Sequence, residues 1–147
     1  MPPFISRYQD QVYAVMRMVI GFLFLQHGLS KLLGWPVPLP DGVPAFVVWI
    51  AGPIELVGGL LVMIGLLAGW AAFFSSGLMA SAYFMAHQKD GLLPIANQGE
   101  LAVVYCFVFL YIAARGSGMW SVDAARDTGG TRITVEVRAT GVRVTGR

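Results

Sequence analysis

Residues 12–33 read VYAVMRMVIGFLFLQHGLSKLL, a run of 22 residues that is apolar almost throughout. As a helix it would be about 33 Å long, enough to cross the hydrocarbon core of a bilayer. Arg17, His27 and Lys31 interrupt it. An ionisable group at membrane depth is costly, so each one marks either a functional site or a device that holds helices together.

The rest of the composition agrees with a membrane setting. Of 147 residues, 56% are hydrophobic and 12% charged, and the mean hydropathy is +0.68. The charged share is about half that of ordinary globular chains. A formal net charge of +2, with no basic–aromatic patch, gives no footprint for nucleic acid. Cys106 is the only cysteine, which excludes an intrachain disulfide, a CxxC redox pair and a thiolate metal cage. The N-terminal MPPFISRYQDQ carries little positive charge, and no small-residue cleavage site follows the first apolar run. That run is therefore expected to be retained as a helix rather than removed as a signal.

Four apolar segments are predicted, at about 12–33, 44–67, 69–87 and 97–114. The expected fold is all-α: an integral membrane protein with a four-transmembrane-helix antiparallel bundle over 1–118 and a short Arg-rich polar tail over 119–147. GWPVPLPDGVP separates the first two segments, and its four prolines favour an extended loop. GLLAG joins the second to the third tightly, and QKDGLLPIA joins the third to the fourth. Beyond Arg115 lie Arg126, Arg132, Arg138, Arg143 and Arg147, whereas the opposite loops hold only Lys31 and Lys89 at their edges. The positive-inside rule then places both termini of the multi-pass chain in the cytoplasm. Trp35, Trp70 and Trp120 fall near segment ends, where interfacial aromatics belong. In the tail, Ile133, Val135 and Val137 alternate with polar residues around a glycine, the pattern of a marginal hairpin.

Helical periodicity assigns faces to the polar residues. On the first helix Lys31 lies about 40° and His27 about 80° from Arg17, with Gly21, Phe24 and Gly28 on the same stripe. On the second, Glu55 is flanked by Gly52 and Gly59, and Pro53 leaves the Trp49 carbonyl without its helical donor. Ser76, Tyr83 and His87 share a stripe of about 40° on the third helix, and Glu100 and Tyr111 lie within about 20° on the fourth. With the helices alternating in direction, Arg17, His27, Lys31, Glu55, Tyr83, His87 and Glu100 become candidates for one ligand-binding or proton-relay column, crowded at its outer end.

A purely structural reading stands beside it. Arg17 and Lys31 can snorkel to opposite headgroup layers, Glu55 can pair with Arg17 or His27, and His87 and Glu100 can sit at the interface. His27 and His87 are the one conceivable haem pair, but two histidines alone are a poor signature, and haem is not expected. No metal and no covalently bound cofactor are expected. Cys106, between Tyr105 and Phe107, is expected to be inert.

These residues resemble the DoxX family of small four-helix bacterial membrane proteins. MRMVIGFLFLQHGLSKL looks like its first helix, with an Arg, a Gly, then a Gly and a Lys at matching spacing. GPIELVGGLLVMIGL resembles the second, and GELAVVYCFVFLYIAARGSGMWSVD the fourth with its Ser-hydrophobic-Asp ending. The resemblance covers roughly 12–123 and maps the family pattern onto Arg17, Gly28, Lys31, Glu55 and Glu100. It implies a place in the bacterial inner (plasma) membrane and a link to quinone-coupled redox chemistry or to oxidative-stress enzymes, with a quinone as cofactor and activity at most as a subunit of an oxidoreductase. Fold kinship does not by itself fix activity. Three functions therefore remain open: a quinone-interacting or accessory subunit with a soluble or membrane redox partner, a scaffold recruiting a soluble enzyme through its tail, and a small-solute or proton carrier. A homodimer is compatible with each.

Overall fold

The computed structural model describes residues 4–128, 134–138 and 141–145. Helix α1, Gln9–Leu33, follows a single 3-10 turn at Ser6–Tyr8. Helix α2, Gly52–Ile64, is led in by a π turn at Val47–Ala51. Pro53 lies at the first turn of α2 and has no N–H to offer the Trp49 carbonyl, which falls inside that π turn. Helix α3, Ala68–Ala82, runs on through a second π turn at Tyr83–His87, and α4 spans Glu100–Arg115. A short α5, Val122–Thr128, lies within the expected polar tail. Strands β1, Thr134–Arg138, and β2, Gly141–Thr145, pair antiparallel with Glu136 opposite Arg143 in the register. Arg132, Ile133 and Arg147 lie outside the described residues.

Two stretches, Ser6–Leu33 and Val47–Ile64, are long and apolar enough to cross a membrane. The 15 residues of α3 and 16 of α4 fall short of the roughly 20 that a span requires, unless the turns beside them count. Two boundaries move inward from the predicted ones. Helix α2 stops at Ile64 because Gly65 takes the left-handed conformation at φ +70°, and Leu67 follows it there at φ +50°. Helix α4 starts at Glu100, since 93–99 is folded into turns in which Leu93 and Pro94 carbonyls accept the N–H groups of Ala96, Asn97 and Gly99.

The tightest contact in the bundle is between α1 and α2. A Cβ built on Gly28 would stand 2.4 Å from the Leu56 nitrogen, and one on Gly21 would stand 2.5 Å from the Met63 nitrogen. From the other side, a Cβ on Gly59 would meet the Leu25 nitrogen at 2.5 Å. Backbone therefore lies directly on backbone along two turns of each helix, which is how helices gain packing energy where lipid removes the hydrophobic drive. Aromatic side chains close the bundle between α1 and α4. The Phe24 ring lies 4.6 Å from that of Phe109, which stacks on Tyr105 at 5.7 Å. Between them, α3 presents Ala71, Ala72, Ser75, Ser76 and Met79 to the core. The outer surface carries exposed Val19, Phe22, Leu60, Phe73, Phe74 and Phe107. An apolar belt of that extent is at home against lipid and not against water.

A pair of alanine substitutions separates contact from propensity. Gly28→Ala is expected to lose about 1–3 kcal/mol of stability, because the methyl meets backbone that cannot move aside. Gly77→Ala, whose Cβ would meet nothing within 4 Å, is expected to gain roughly 0.5–1 kcal/mol. Thermal unfolding of the two variants in detergent reads the opposite signs.

Candidate functional site

A cavity of about 700 Å³ opens at the end of the bundle where α1 finishes and α2 begins. Phe24, His27 and Lys31 reach it from α1, Val47, Ile50, Ala51 and Glu55 from the α2 stretch. Met79, Ala82, Met85 and His87 line it from the α3 stretch, and Leu101, Ala102 and Tyr105 from α4. Both π turns thus form part of its wall. A π turn widens the helix and re-aims the side chains that follow it, and such turns recur at functional sites.

Its most strongly interacting pair is Lys31 Nζ donating to Glu55 Oε2 at 2.5 Å. The glycine contact makes this possible. Gly28 rests on Leu56, the neighbour of Glu55, and Lys31 lies one turn further along the same face of α1. Glu55 is 3% exposed, so an unpaired carboxylate there would be prohibitively costly. Its partner is Lys31 rather than Arg17 or His27. His27 stands at the cavity edge with its ring perpendicular to Tyr105, centroids 6.0 Å apart.

Arg17 serves the opposite end of the bundle. It is fully buried, and its Nη1 donates to the carbonyls of Val62 at 2.5 Å and Met63 at 2.9 Å, its Nη2 to that of Trp120 at 2.9 Å. A cation on the last carbonyls of α2 satisfies helix-end acceptors and meets the negative end of the helix dipole. The same guanidinium anchors the loop that returns from α4. Asp123 completes the closure: its backbone N–H donates to Gly65 O at 3.1 Å, while its carboxylate accepts from the Leu67 N–H at 2.8 Å and from Ser117 Oγ at 2.5 Å. Gly65 has no room for a side chain, since a Cβ would come within 2.3 Å of that of Ser121.

Of the other predicted site residues, His87 lines the cavity, and its Nδ1 donates to the Asn97 carbonyl at 3.0 Å. A carbonyl only accepts, so the proton sits on Nδ1 and a neutral ring leaves Nε2 as the acceptor. Tyr83 does not line the cavity; its hydroxyl donates to Leu92 O at 2.7 Å and ties the α3 end to the following loop. Glu100 is exposed at the first turn of α4, away from the cavity lining, where a carboxylate suits the helix dipole. Four of the seven candidates, His27, Lys31, Glu55 and His87, therefore meet in one cavity, and Arg17, Tyr83 and Glu100 stand apart.

Tyr105 is the site residue that sequence reasoning missed. It is 5% exposed, borders the cavity beside Phe24, and its hydroxyl has no hydrogen-bond partner among the described residues. The signal was the buried stripe Ala102, Tyr105, Phe109, Ile112 of α4. Glu100 and Tyr111 drew attention instead, yet Tyr111 is exposed and accepts from Arg115 at 3.0 Å. Among the described residues no three His, Cys, Asp or Glu side chains gather as a metal group would require. Cys106 is half-buried, and its carbonyl accepts from Ser76 Oγ at 2.8 Å.

The ion pair gives a sharp double-mutant prediction. Lys31→Met strands a buried carboxylate and is expected to cost about 3–5 kcal/mol, whereas Lys31→Met combined with Glu55→Leu is expected to recover most of that loss. Thermal melts of the single and double variants test it.

Residues 12–88, just over half of the chain, match the DoxX family model, taking in α1, α2 and α3. An uncharacterized protein of Haemophilus influenzae is 37% identical over 125 residues, covering 81% of this chain and 93% of its own. "Putative oxidoreductase CatD" of Bacillus subtilis is 26% identical over 113 residues, 74% of this chain and 82% of its own. An uncharacterized membrane protein of Mycobacterium tuberculosis is 29% identical over 128 residues, 74% of this chain and 77% of its own. No solved structure matches. With the matched region carrying most of the first membrane-length stretch, all of the second and the Lys31–Glu55 pair, the chain belongs to the DoxX family of membrane proteins.

Proposed function

We propose that this protein is a quinone-interacting accessory subunit of a redox complex in the bacterial plasma membrane, with four spans and both termini cytoplasmic. The observation that carries the reading is the cavity: about 700 Å³, apolar over most of its wall, with Lys31, Glu55 and Tyr105 lining it and His27 at its edge. Small-molecule sites have this character, a few placed polar groups in an apolar cleft of roughly 300–1,000 Å³. Phe46, Ile50, Met85 and Leu101 border it and are themselves exposed, so the cavity opens sideways through apolar residues. That opening suits a molecule with a polar head and an isoprenoid tail.

The chain's own residues fit such a head. Tyr105 on the wall and His27 at the edge offer hydrogen-bonding groups, and the Lys31–Glu55 pair can give up a proton and return to zero net charge by taking one up again. A quinone, when bound, would supply two-electron, two-proton chemistry that no side chain here provides. The word oxidoreductase in the name of the Bacillus subtilis relative is consistent with that chemistry, and the electron donor would be a partner protein.

For the topology, Arg7, Arg115 and Arg126 lie toward the bundle end that carries Arg17, and Lys31 and Lys89 toward the other. In a Cys106→Ala background, a cysteine at Asp41 is expected to react with an impermeant maleimide on intact cells. One at Ser117 is expected to react only after lysis, and the reverse pattern would overturn the orientation. For the ligand, the protein in nanodiscs is expected to quench or shift on titration with decylubiquinone. His27→Ala and Glu55→Gln should each weaken that binding about tenfold or more. Unchanged affinity in both variants would reject the quinone site.

A further inference from the structure

Polar side chains on the cavity wall differ in how far the protein already uses them. Lys31 and Glu55 satisfy each other at 2.5 Å. His87 is held by the Asn97 carbonyl at 3.0 Å. His27 is exposed at the edge. Tyr105 is different: its ring is buried, while its hydroxyl stays accessible at the cavity wall and makes no hydrogen bond among the described residues. A phenol O–H that lines an apolar cavity with no protein partner is free to donate to whatever occupies that cavity.

The rest of the side chain is fixed. The Tyr105 ring stacks on Phe109 with centroids 5.7 Å apart and an interplanar angle of 16°. It also meets Phe24 at 5.5 Å, and the His27 ring stands at 89° to it. Three rings on α1 and α4 therefore hold the phenol in place, while no protein atom has been supplied for its O–H. Aromatic packing of this kind fixes a donor at low entropic cost, the condition for a pre-organised contact. Beside Tyr105 the Lys31 and Glu55 charges cancel, and the further cation on the wall, Lys89, is exposed to the outside. The site therefore favours a head group that is uncharged and carries hydrogen-bond acceptors.

We infer that the Tyr105 hydroxyl is the donor that the cavity presents to a carbonyl oxygen of its ligand, and that it selects acceptor-bearing neutral heads over equally apolar molecules without one. This rests on the quinone reading above and names the residue that would discriminate within it. Lys31 and Glu55 then set the polarity of the wall, and Tyr105 makes the directional contact.

The test uses the full chain in nanodiscs with two probes, decylubiquinone and undecylbenzene, the second lacking any acceptor. Tyr105→Phe removes one oxygen and keeps the ring. It is expected to weaken decylubiquinone binding about three- to tenfold, as the loss of one neutral hydrogen bond would. Undecylbenzene binding and the melting temperature of the empty protein should stay at wild-type values. Equal decylubiquinone affinity in wild type and Tyr105→Phe overturns the inference and leaves the quinone site standing. A lowered melting temperature with unchanged affinity also overturns it, by showing that the hydroxyl serves the fold. If the wild type binds no decylubiquinone at all, the quinone reading falls and takes this inference with it.

Discussion

The contact of α1 backbone on α2 backbone underlies the rest of the structure. Gly21, Gly28 and Gly59 leave no side chain between the two helices, and the separation that results is too small for any other residue type. From that spacing follows the reach of Lys31 to Glu55, since an ammonium on a longer baseline would not close to 2.5 Å on a carboxylate buried in the next helix. From it also follows the position of Arg17, about four turns before Lys31 on the same face, at the carbonyls that end α2. One packing decision thus places a cation at each end of α2, and each cation answers a different shortage. Lys31 neutralises a buried charge, whereas Arg17 supplies donors to orphaned carbonyls.

The two ends of the bundle are built differently as a result. Around Gly65, the Arg17 guanidinium and the N–H and carboxylate of Asp123 bind the α2–α3 turn to the segment that returns after α4. This end is filled and cross-linked by hydrogen bonds. At the far end both α2 and α3 pass through π turns, and the space between them is left as the cavity. Irregular backbone at membrane depth is tolerated where it is buried in protein or lines a cavity, and these turns meet that condition. The closed end uses its polar groups to hold the helices in register, and the open end turns Lys31, Glu55 and His87 toward the cavity.

Much of this was legible in the sequence, for reasons that can be traced. The stripe Arg17, Gly21, Phe24, Gly28 predicted the buried face of α1, because helical spacing alone decides which residues align. Pro53 predicted a disturbance before Glu55, since a missing donor is a local property of the chain. What periodicity does not carry is the rotation of one helix against another. Glu100 and Tyr111 share a face of α4, but that face turns outward, and Tyr105 and Phe109 turn inward. Nor does it tell which of several cations a buried carboxylate will take. Arg17 and Lys31 lie on one stripe with Glu55 opposite, and only the glycine contacts fix the register that gives Glu55 to Lys31. The role of Tyr83 was likewise hidden, because it depends on how 88–99 folds back over the end of α3.

The closeness of Lys31 and Glu55 has an electrical consequence for a membrane protein. A single charge at that depth would feel the transmembrane voltage, at about 2.3 kcal/mol per 100 mV for a full crossing. Two opposite charges 2.5 Å apart form a short dipole instead, on which the same field does little work. The cavity can therefore carry two charged side chains on its wall and still remain indifferent to whether the cell is energised.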